Sequence, residues 1–290
     1  MNHIPVLLHE TLYFLDPKPG KFMIDGTMDG GGHTAEIASR VAPRGSVLGL
    51  DWDEAAVDRA KERFGKSENI VVMQGNYADI AETMRKRKLP RAQGLLLDLG
   101  FSSEQIGASG RGFSFAHDEP LLMTYSDTML PAWRCLRQMK EKEIADMIFE
   151  LGGERFSRQI ARAIKNFEKP IMRTGTLAEI VRGAVSKGYE RGRIDPATRT
   201  FQALRIFVNH ELENLTKALD AVPEILAPGA RVVVISFHSL EDRIVKNKFR
   251  DMAKAGTLSI LTKKPVEATD AEVRWNPRSR SAKLRAAEIL

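Results

Sequence analysis

Residues 21–51 constrain the fold of this 290-residue chain more than any other stretch. Phe22-Met23-Ile24 is a short apolar strand closed by Asp25. Gly26-Thr27-Met28-Asp29-Gly30-Gly31-Gly32 can only be a loop. His33 to Val41 has the pattern of a helix, and Ser46 to Leu50 is a second strand with Asp51 at its carboxyl end. Strand, glycine-rich loop, helix and acid-tipped strand make a βαβ unit, the building block of a parallel sheet. Glycines let backbone N–H groups approach a ligand that side chains would block. A carboxylate at the second strand tip can accept both hydroxyls of a ribose. The unit therefore predicts a cofactor that contains a nucleoside.

Two cofactors compete for it. Gly30 to Ala35 matches G-x-G-x-x-A, the dinucleotide fingerprint, with Asp51 at about the expected distance. A pyrophosphate, however, is usually held where a strand turns tightly into a helix N-terminus. Here Asp25 would put negative charge beside it, and seven residues separate Asp25 from His33. The same carboxylate suits a cation. S-adenosyl-L-methionine carries an ammonium and a sulfonium and no phosphate, so the loop favours it over NAD.

The alternation continues through a helix over 53–64, a strand over 69–74 followed by Tyr77, a helix over 78–88 stopped by Leu89-Pro90, and an apolar strand over 94–97 tipped by Asp98. A continuous apolar run is what a central parallel strand requires. From Gln105 to about Asp195 no strand pattern appears. Helices are expected over 141–151, 155–166 and 176–185, with one long amphipathic helix over 196–219. A fifth strand, 231–236, and a helix over 240–252 follow, and 257–262 and 281–290 complete seven strands. The expectation is a doubly wound, mostly parallel α/β sheet of the S-adenosylmethionine-dependent methyltransferase type, built from 1–105 and 196–290, with a helical insertion over 106–195. Ligands of such sheets lie beyond the carboxyl ends of the strands. That places the 26–33 loop, Asp51, Tyr77, Asp98 and Ser236-Phe237-His238 on one rim.

No run of ~18 apolar residues marks a membrane span. The opening 16 residues lack a signal-peptide pattern, and the lone Cys135 fits a reducing cytoplasm. The six histidines show no metal-ligand spacing. Net charge is +6, and all of the excess lies between Arg134 and Arg199, which holds 15 Lys and Arg against 9 Asp and Glu. Arg155, Arg158 and Arg162 in this segment are spaced to share one helix face. Such a segment attracts a polyanion. By charge alone, nucleic acid and a solvated helical surface are equal readings.

Longer motifs add a specific resemblance. They include His9-Glu10, Asp25-Gly26-Thr27, Gly31-Gly32-His33, Leu97-Asp98-Leu99-Gly100 with Ser102-Ser103 and Gln105, and Arg111-Gly112-Phe113-Ser114-Phe115. Further on come Gly153-Glu154-Arg155, Ile160 to Ile164, Pro196 to Arg205, Ile235 to Arg243 and Asn276 to Ser281. In order and over nearly the whole chain, they resemble the ribosomal RNA small subunit methyltransferase H family. The resemblance implies methylation of N4 of a cytidine in the decoding region of 16S rRNA, with the RNA met within a small ribosomal subunit particle. It implies a cofactor site at Gly31, Gly32, His33, Asp51, Tyr77, Asp98 and Gln105. Asp51 would accept the ribose hydroxyls, Tyr77 would face the adenine, and Gln105 would bond the amino-acid end.

The N4 amine is a poor nucleophile because its lone pair is delocalised into the ring. Positioning must supply much of the rate, and an acceptor for an N4 hydrogen would relieve the developing charge. Asp98 or a neighbouring backbone carbonyl is the expected acceptor. Arg199, His238 and Arg243 are candidates for holding phosphate or base, with ion pairing inside the protein an equal reading. Amino-methylases of DNA usually carry D/N/S-P-P-Y/W at this strand tip, whereas this chain has Asp98-Leu99-Gly100-Phe101. The chain also departs from the family's pattern. Asp29 stands where a glycine is usual, and 118–125 reads Asp-Glu-Pro-Leu-Leu-Met-Thr-Tyr where D-G-P-L-D-M-R-M is usual. The second departure leaves open a methyltransferase of a different RNA acceptor, and a non-catalytic RNA-binding or assembly factor that retains the fold is the third reading.

Overall fold

A computed structural model describes residues 5–100, 110–186, 188–192 and 194–290. The chain divides into two compact units, 1–100 with 212–290, and 101–211.

The first unit is a sheet with helices on both faces. Its leading elements are α1 (Leu8–Leu15), β1 (Phe22–Asp25), α2 (Gly32–Val41), β2 (Ser46–Asp51), α3 (Glu54–Phe64), β3 (Ile70–Gln74), α4 (Ile80–Arg87) and β4 (Ala92–Asp98). The sheet is completed by β5 (Leu226–Ser236), β6 (Leu258–Ile260), a two-residue β7 (Val266–Glu267) and β8 (Lys283–Ile289). Strand order is β3-β2-β1-β4-β5-β8-β6, with β7 paired to β8. Strands β1 to β5 run parallel, and β8 is antiparallel to β5. The mostly parallel sheet expected from the sequence is present, with eight strands rather than seven.

Successive side chains of a strand point to opposite faces, and here both faces are covered. Leu95, Leu97, Val232 and Val234 enter one core with Ile80, Leu219 and Phe249. Leu96, Val233 and Ile235 enter the other with Leu12, Leu15, Ile37 and Val41. Each fully buried Leu, Ile or Val contributes roughly 1.5–3 kcal/mol, so the centre of the sheet is the rigid base of its rim. Strand order reverses between β1 and β4, the switch point where such sheets bind ligands. Asp25 and Asp98 tip these two strands.

The second unit contains α5 (Ala132–Gln138), α6 (Glu141–Gly152), α7 (Ser157–Asn166), α8 (Thr174–Ala184) and α9 (Ala197–Val208). They close on Leu136, Ile144, Ile148, Ile160, Leu177, Phe201 and Leu204. Gly153 ends α6 with φ +64°. A Cβ on Gly152 would lie 2.5 Å from the Arg199 carbonyl, so α6 meets α9 there only because Gly152 has no side chain.

Three sequence expectations change. The single helix over 196–219 is two helices, α9 and α10 (Glu211–Ile225). The chain turns at His210, φ +51°, while the Asn209 amide donates to the Met123 carbonyl (2.7 Å) and its oxygen accepts from Tyr125 N–H (3.0 Å). Because α9 buries Phe201, Leu204 and Val208 in the helical core, the second unit runs to 211 rather than 195. Finally, α7 starts at Ser157, so Arg155 precedes it and lies over the Phe156 ring at 4.9 Å instead of sharing a face with Arg158 and Arg162.

Among the described residues no helix is long and apolar enough to cross a membrane.

Candidate active site

Four aspartates meet at the switch point of the first unit. Asp25 is fully buried, its Oδ2 accepting from the Thr34 hydroxyl (2.6 Å) and its Oδ1 from Thr27 N–H (3.2 Å). Thr27 in turn accepts from Asp98 N–H (2.6 Å), which ties the glycine-rich loop to β4. Asp51 accepts Asp29 N–H on Oδ2 (2.7 Å) and Asp53 N–H on Oδ1 (2.9 Å), so its carboxylate organises both the loop after β1 and the start of α3. A carboxylate offers about four lone-pair sites, which leaves Asp51 capacity for ribose hydroxyls. Asp29 itself has φ +43°, a left-handed conformation that disfavours any side chain. The glycine usual at this position in the resembling family would adopt it freely.

Asp98 differs from the other three. Its Oδ2 lies 3.5 Å from His33 Nδ1. Its Oδ1 is solvent-inaccessible and has no hydrogen-bond partner among the described residues. A buried, unpartnered carboxylate oxygen is costly and leaves Asp98 able to accept a further hydrogen bond. His33 Nε2 lies 3.1 Å from the Val6 carbonyl, which can only accept, so Nε2 carries a proton. An attractive Nδ1···Oδ2 contact then needs one more proton, on the imidazole or on the carboxyl.

The electrostatics are those of crowded acids. Burial pushes the Asp51 carboxyl up to about 7, against the pull of Asp53 and Asp29 N–H and with added repulsion from the Asp29 and Asp53 carboxylates. Burial likewise raises Asp25 to about 6, opposed by Thr34 and Thr27 and helped by Asp29. Asp98 is raised well above the usual carboxylate range by burial first and then by Asp25, with Asp29 and Glu241 adding to the shift and Arg278 opposing it. Such a rim repels phosphate and favours a cation.

The remaining candidates separate. A Cβ on Gly31 (φ +72°) would fall 2.4 Å from the Phe64 ring, and one on Gly32 2.4 Å from Pro5, so packing inside the protein requires both glycines. Tyr77 opens a turn after β3, half-buried against the first core. Gln105 lies outside the described residues. His238 is the N-cap of α11 (Ser239–Lys254). Its Nδ1 accepts from Glu241 N–H (3.4 Å), and Glu241 accepts in return from Phe237 and His238 N–H (2.9 and 3.2 Å). The next residue, Asp242, forks onto Arg285 of β8 (2.6 and 3.1 Å), and Arg243 is exposed, with no ion pair among the described residues. Arg199 belongs to the second unit, where it pairs with Glu190 (3.0 Å) and approaches Glu154 (3.9 Å). The structure thus brings His33, Asp51 and Asp98 together on one rim and gives Arg199 partners within its own unit, while His238 caps α11 through Nδ1 and keeps a buried Nε2 with no hydrogen-bond partner among the described residues.

Residue-type reasoning passed over Thr27, Thr34 and Arg278. The Asp-x-Thr of Asp25-Gly26-Thr27 and the Thr at 34, in the first turn of α2, were the available signals. Nothing local marks Arg278. The 118–125 departure also has a structural reason. Glu119 is buried and accepts Gly110 and Gly112 N–H (3.1 and 2.8 Å), bracing the Arg111-Gly112-Phe113 loop.

A sequence profile described as the MraW methylase family matches residues 1–290. Ribosomal RNA small subunit methyltransferase H of Geotalea uraniireducens is 43% identical over 306 residues, which cover 99% of this chain and 98% of that protein. The protein of the same name from Koribacter versatilis is 45% identical over 296 residues, 99% of this chain and 93% of the other. Among solved structures, an rRNA methylase from Streptococcus thermophilus shares 10% identity over 99% of this chain and 98% of that chain, with a TM-score of 0.48.

Proposed function

The chain belongs to the MraW methylase family, and from that premise we propose that it transfers a methyl group to N4 of a cytidine in the decoding region of 16S rRNA. S-adenosyl-L-methionine is the methyl donor, supplying an activated methyl on its sulfonium. The observation that carries this reading is Asp98, whose buried Oδ1 has no partner among the described residues. Oδ1 accepts a hydrogen from the target amine, draws electron density onto the nitrogen and fixes its lone pair in line for attack. His33 holds the other carboxylate oxygen and keeps the group oriented. Asp51 accepts the ribose hydroxyls, and the acidic rim as a whole favours a cationic cofactor over a pyrophosphate. Tyr77 gives the adenine an aromatic face, and Gln105 bonds the amino-acid end.

An amine acceptor, rather than a ring carbon, fits a lone carboxylate. The cytidine and its place in the decoding region rest on the family resemblance. The base must leave any stack to reach Asp98. The segment Arg134–Arg199 of the helical unit, with 15 Lys and Arg against 9 Asp and Glu, recognises the RNA.

The test is methylation of small ribosomal subunits from cells lacking the gene, using donor with an isotopically labelled methyl, followed by nucleoside mass spectrometry. Label is expected in N4-methylcytidine from one decoding-region position. Label in another nucleoside, or none, would contradict the assignment.

A further inference from the structure

In the second unit, a cleft of about 140 Å³ opens between the end of α5, the end of α7 and the 167–171 connection. One water needs only ~10–15 Å³, so the cleft has room for a planar ring. Its floor is apolar, formed by Leu136, Ile164 and Ile171, each nearly fully buried. Trp133 and Phe167 also line it, and Phe167 is 39% exposed.

The rim is cationic. Arg137 and Lys169 have no ion pair among the described residues, in contrast to Arg162, Arg173, Arg182 and Arg199, which face Glu141, Asp118, Asp195 and Glu190. Lys165 is pinned across the end of α5 by the carbonyls of Arg137 (3.2 Å) and Met139 (2.9 Å), which fixes a further positive charge. Glu168 is the one acid in the lining. Apolar floor, aromatic wall and unpaired cations are the elements that bind single-stranded nucleic acid, where bases stack and phosphates meet Lys and Arg. None of the methyl-transfer residues lines this cleft.

We propose that the cleft seats an unpaired nucleotide of the RNA substrate other than the one methylated, with its base against Trp133 and Phe167 and its phosphates on Arg137 and Lys169. The inference rests on the RNA methyltransferase reading and deepens it. It assigns the helical unit one specific contact in addition to general charge attraction.

The test uses the full chain, a single-stranded RNA oligonucleotide of decoding-region sequence, and fluorescence anisotropy across a salt series. Phe167→Ala should weaken binding about tenfold, and the loss should persist at high salt because stacking is not screened. Phe167→Tyr should restore affinity. The double variant Arg137→Glu/Lys169→Glu should lower the slope of log affinity against log salt by roughly 0.7 for each phosphate that is no longer neutralised. The Kd for S-adenosyl-L-methionine and the kcat should stay at wild-type values while the KM for RNA rises.

Unchanged RNA affinity in folded variants overturns the cleft proposal alone. Affinity that falls for assembled subunits but is kept for protein-free RNA also overturns it, since the occupant would then be a ribosomal protein. A wild-type protein that neither binds nor methylates RNA overturns the functional reading itself.

Discussion

Both units bury carboxylates that accept donors, and Asp98 on the sheet rim stands apart from them. In the helical unit Glu119 accepts two backbone N–H groups, and Glu154, with no exposure, accepts Phe156 N–H (2.8 Å) and the Tyr189 hydroxyl. Tyr189 is pushed up to about 12 by burial and by that bond. On the sheet rim, Asp98 keeps an oxygen without a partner, and Asp25 and Asp51 are raised to about 6 and 7. A buried acid with a donor on each oxygen, as Glu119 and Glu154 have and as Asp25 and Asp51 have on the rim, organises the backbone around it. One left short is a site awaiting a donor. The contrast separates structural from functional acids without reference to residue type.

The largest expected effect breaks a structural acid. Glu154→Ala leaves Phe156 N–H and the Tyr189 hydroxyl unpaired in the interior, and should destabilise the protein by about 3 kcal/mol. Chemical denaturation measures this, while the Kd for S-adenosyl-L-methionine in the remaining folded protein should not change. A cofactor-binding defect without a stability loss would erase the distinction between Glu154 and Asp98.

A smaller effect concerns pH. Asp25 and Asp51 hold protons in the folded protein at pH values where the unfolded chain, with carboxyls at the ordinary 3.8, has released them. Unfolding therefore releases protons between about pH 4 and 6 at Asp25 and between about pH 4 and 7 at Asp51, so stability falls as pH rises, by roughly 1.4 kcal/mol per pH unit for each group within its own window. Cofactor affinity should run the other way, rising toward pH 7 as Asp51 ionises to accept the ribose hydroxyls. Thermal melts and calorimetry at matched pH values test the two opposed slopes.

The smallest effect sharpens the comparison at Asp29. Asp29→Gly removes a side chain from a left-handed backbone and should change stability by ~1 kcal/mol or less, because strain relief is offset by the freedom glycine gains in the unfolded chain. It also removes a like charge that raises Asp25, Asp51 and Asp98. The pH midpoint of cofactor binding should therefore move downward. An unmoved midpoint would show that the Asp29 charge does not set these values.

The sheet unit was legible in the sequence as far as Asp98 because its signals are local: apolar strands of four to seven residues, a glycine loop and acids at strand tips. Its rim was legible for the same reason, since a strand tip fixes where a side chain stands. What failed depended on distant partners. Nothing between 196 and 219 reads as a break, because the turn at His210 is stabilised through Asn209 by the backbone of Met123 and Tyr125. Arg199 is open equally to holding phosphate or to ion pairing, and the Glu190 and Glu154 that pair with it lie outside its local sequence pattern. His238 was open to a better reading, because a glutamate three residues on is the capping-box spacing and capping is the role His238 has. The unpaired oxygen of Asp98 was not legible at all, since sequence shows which groups are present but not which are satisfied.

Asp98→Asn, assayed for thermal midpoint and single-turnover methyl transfer on one preparation, tests the division between structural and functional acids most directly. Asparagine keeps the shape, and its amide N–H can face His33 Nδ1. The unpartnered oxygen loses its charge without losing any bond within the protein. The midpoint should therefore stay level or rise, while methyl transfer falls by about 100-fold or more. A lowered midpoint with turnover retained would make Asp98 a structural acid like Glu154 and would leave the rim without its amine acceptor.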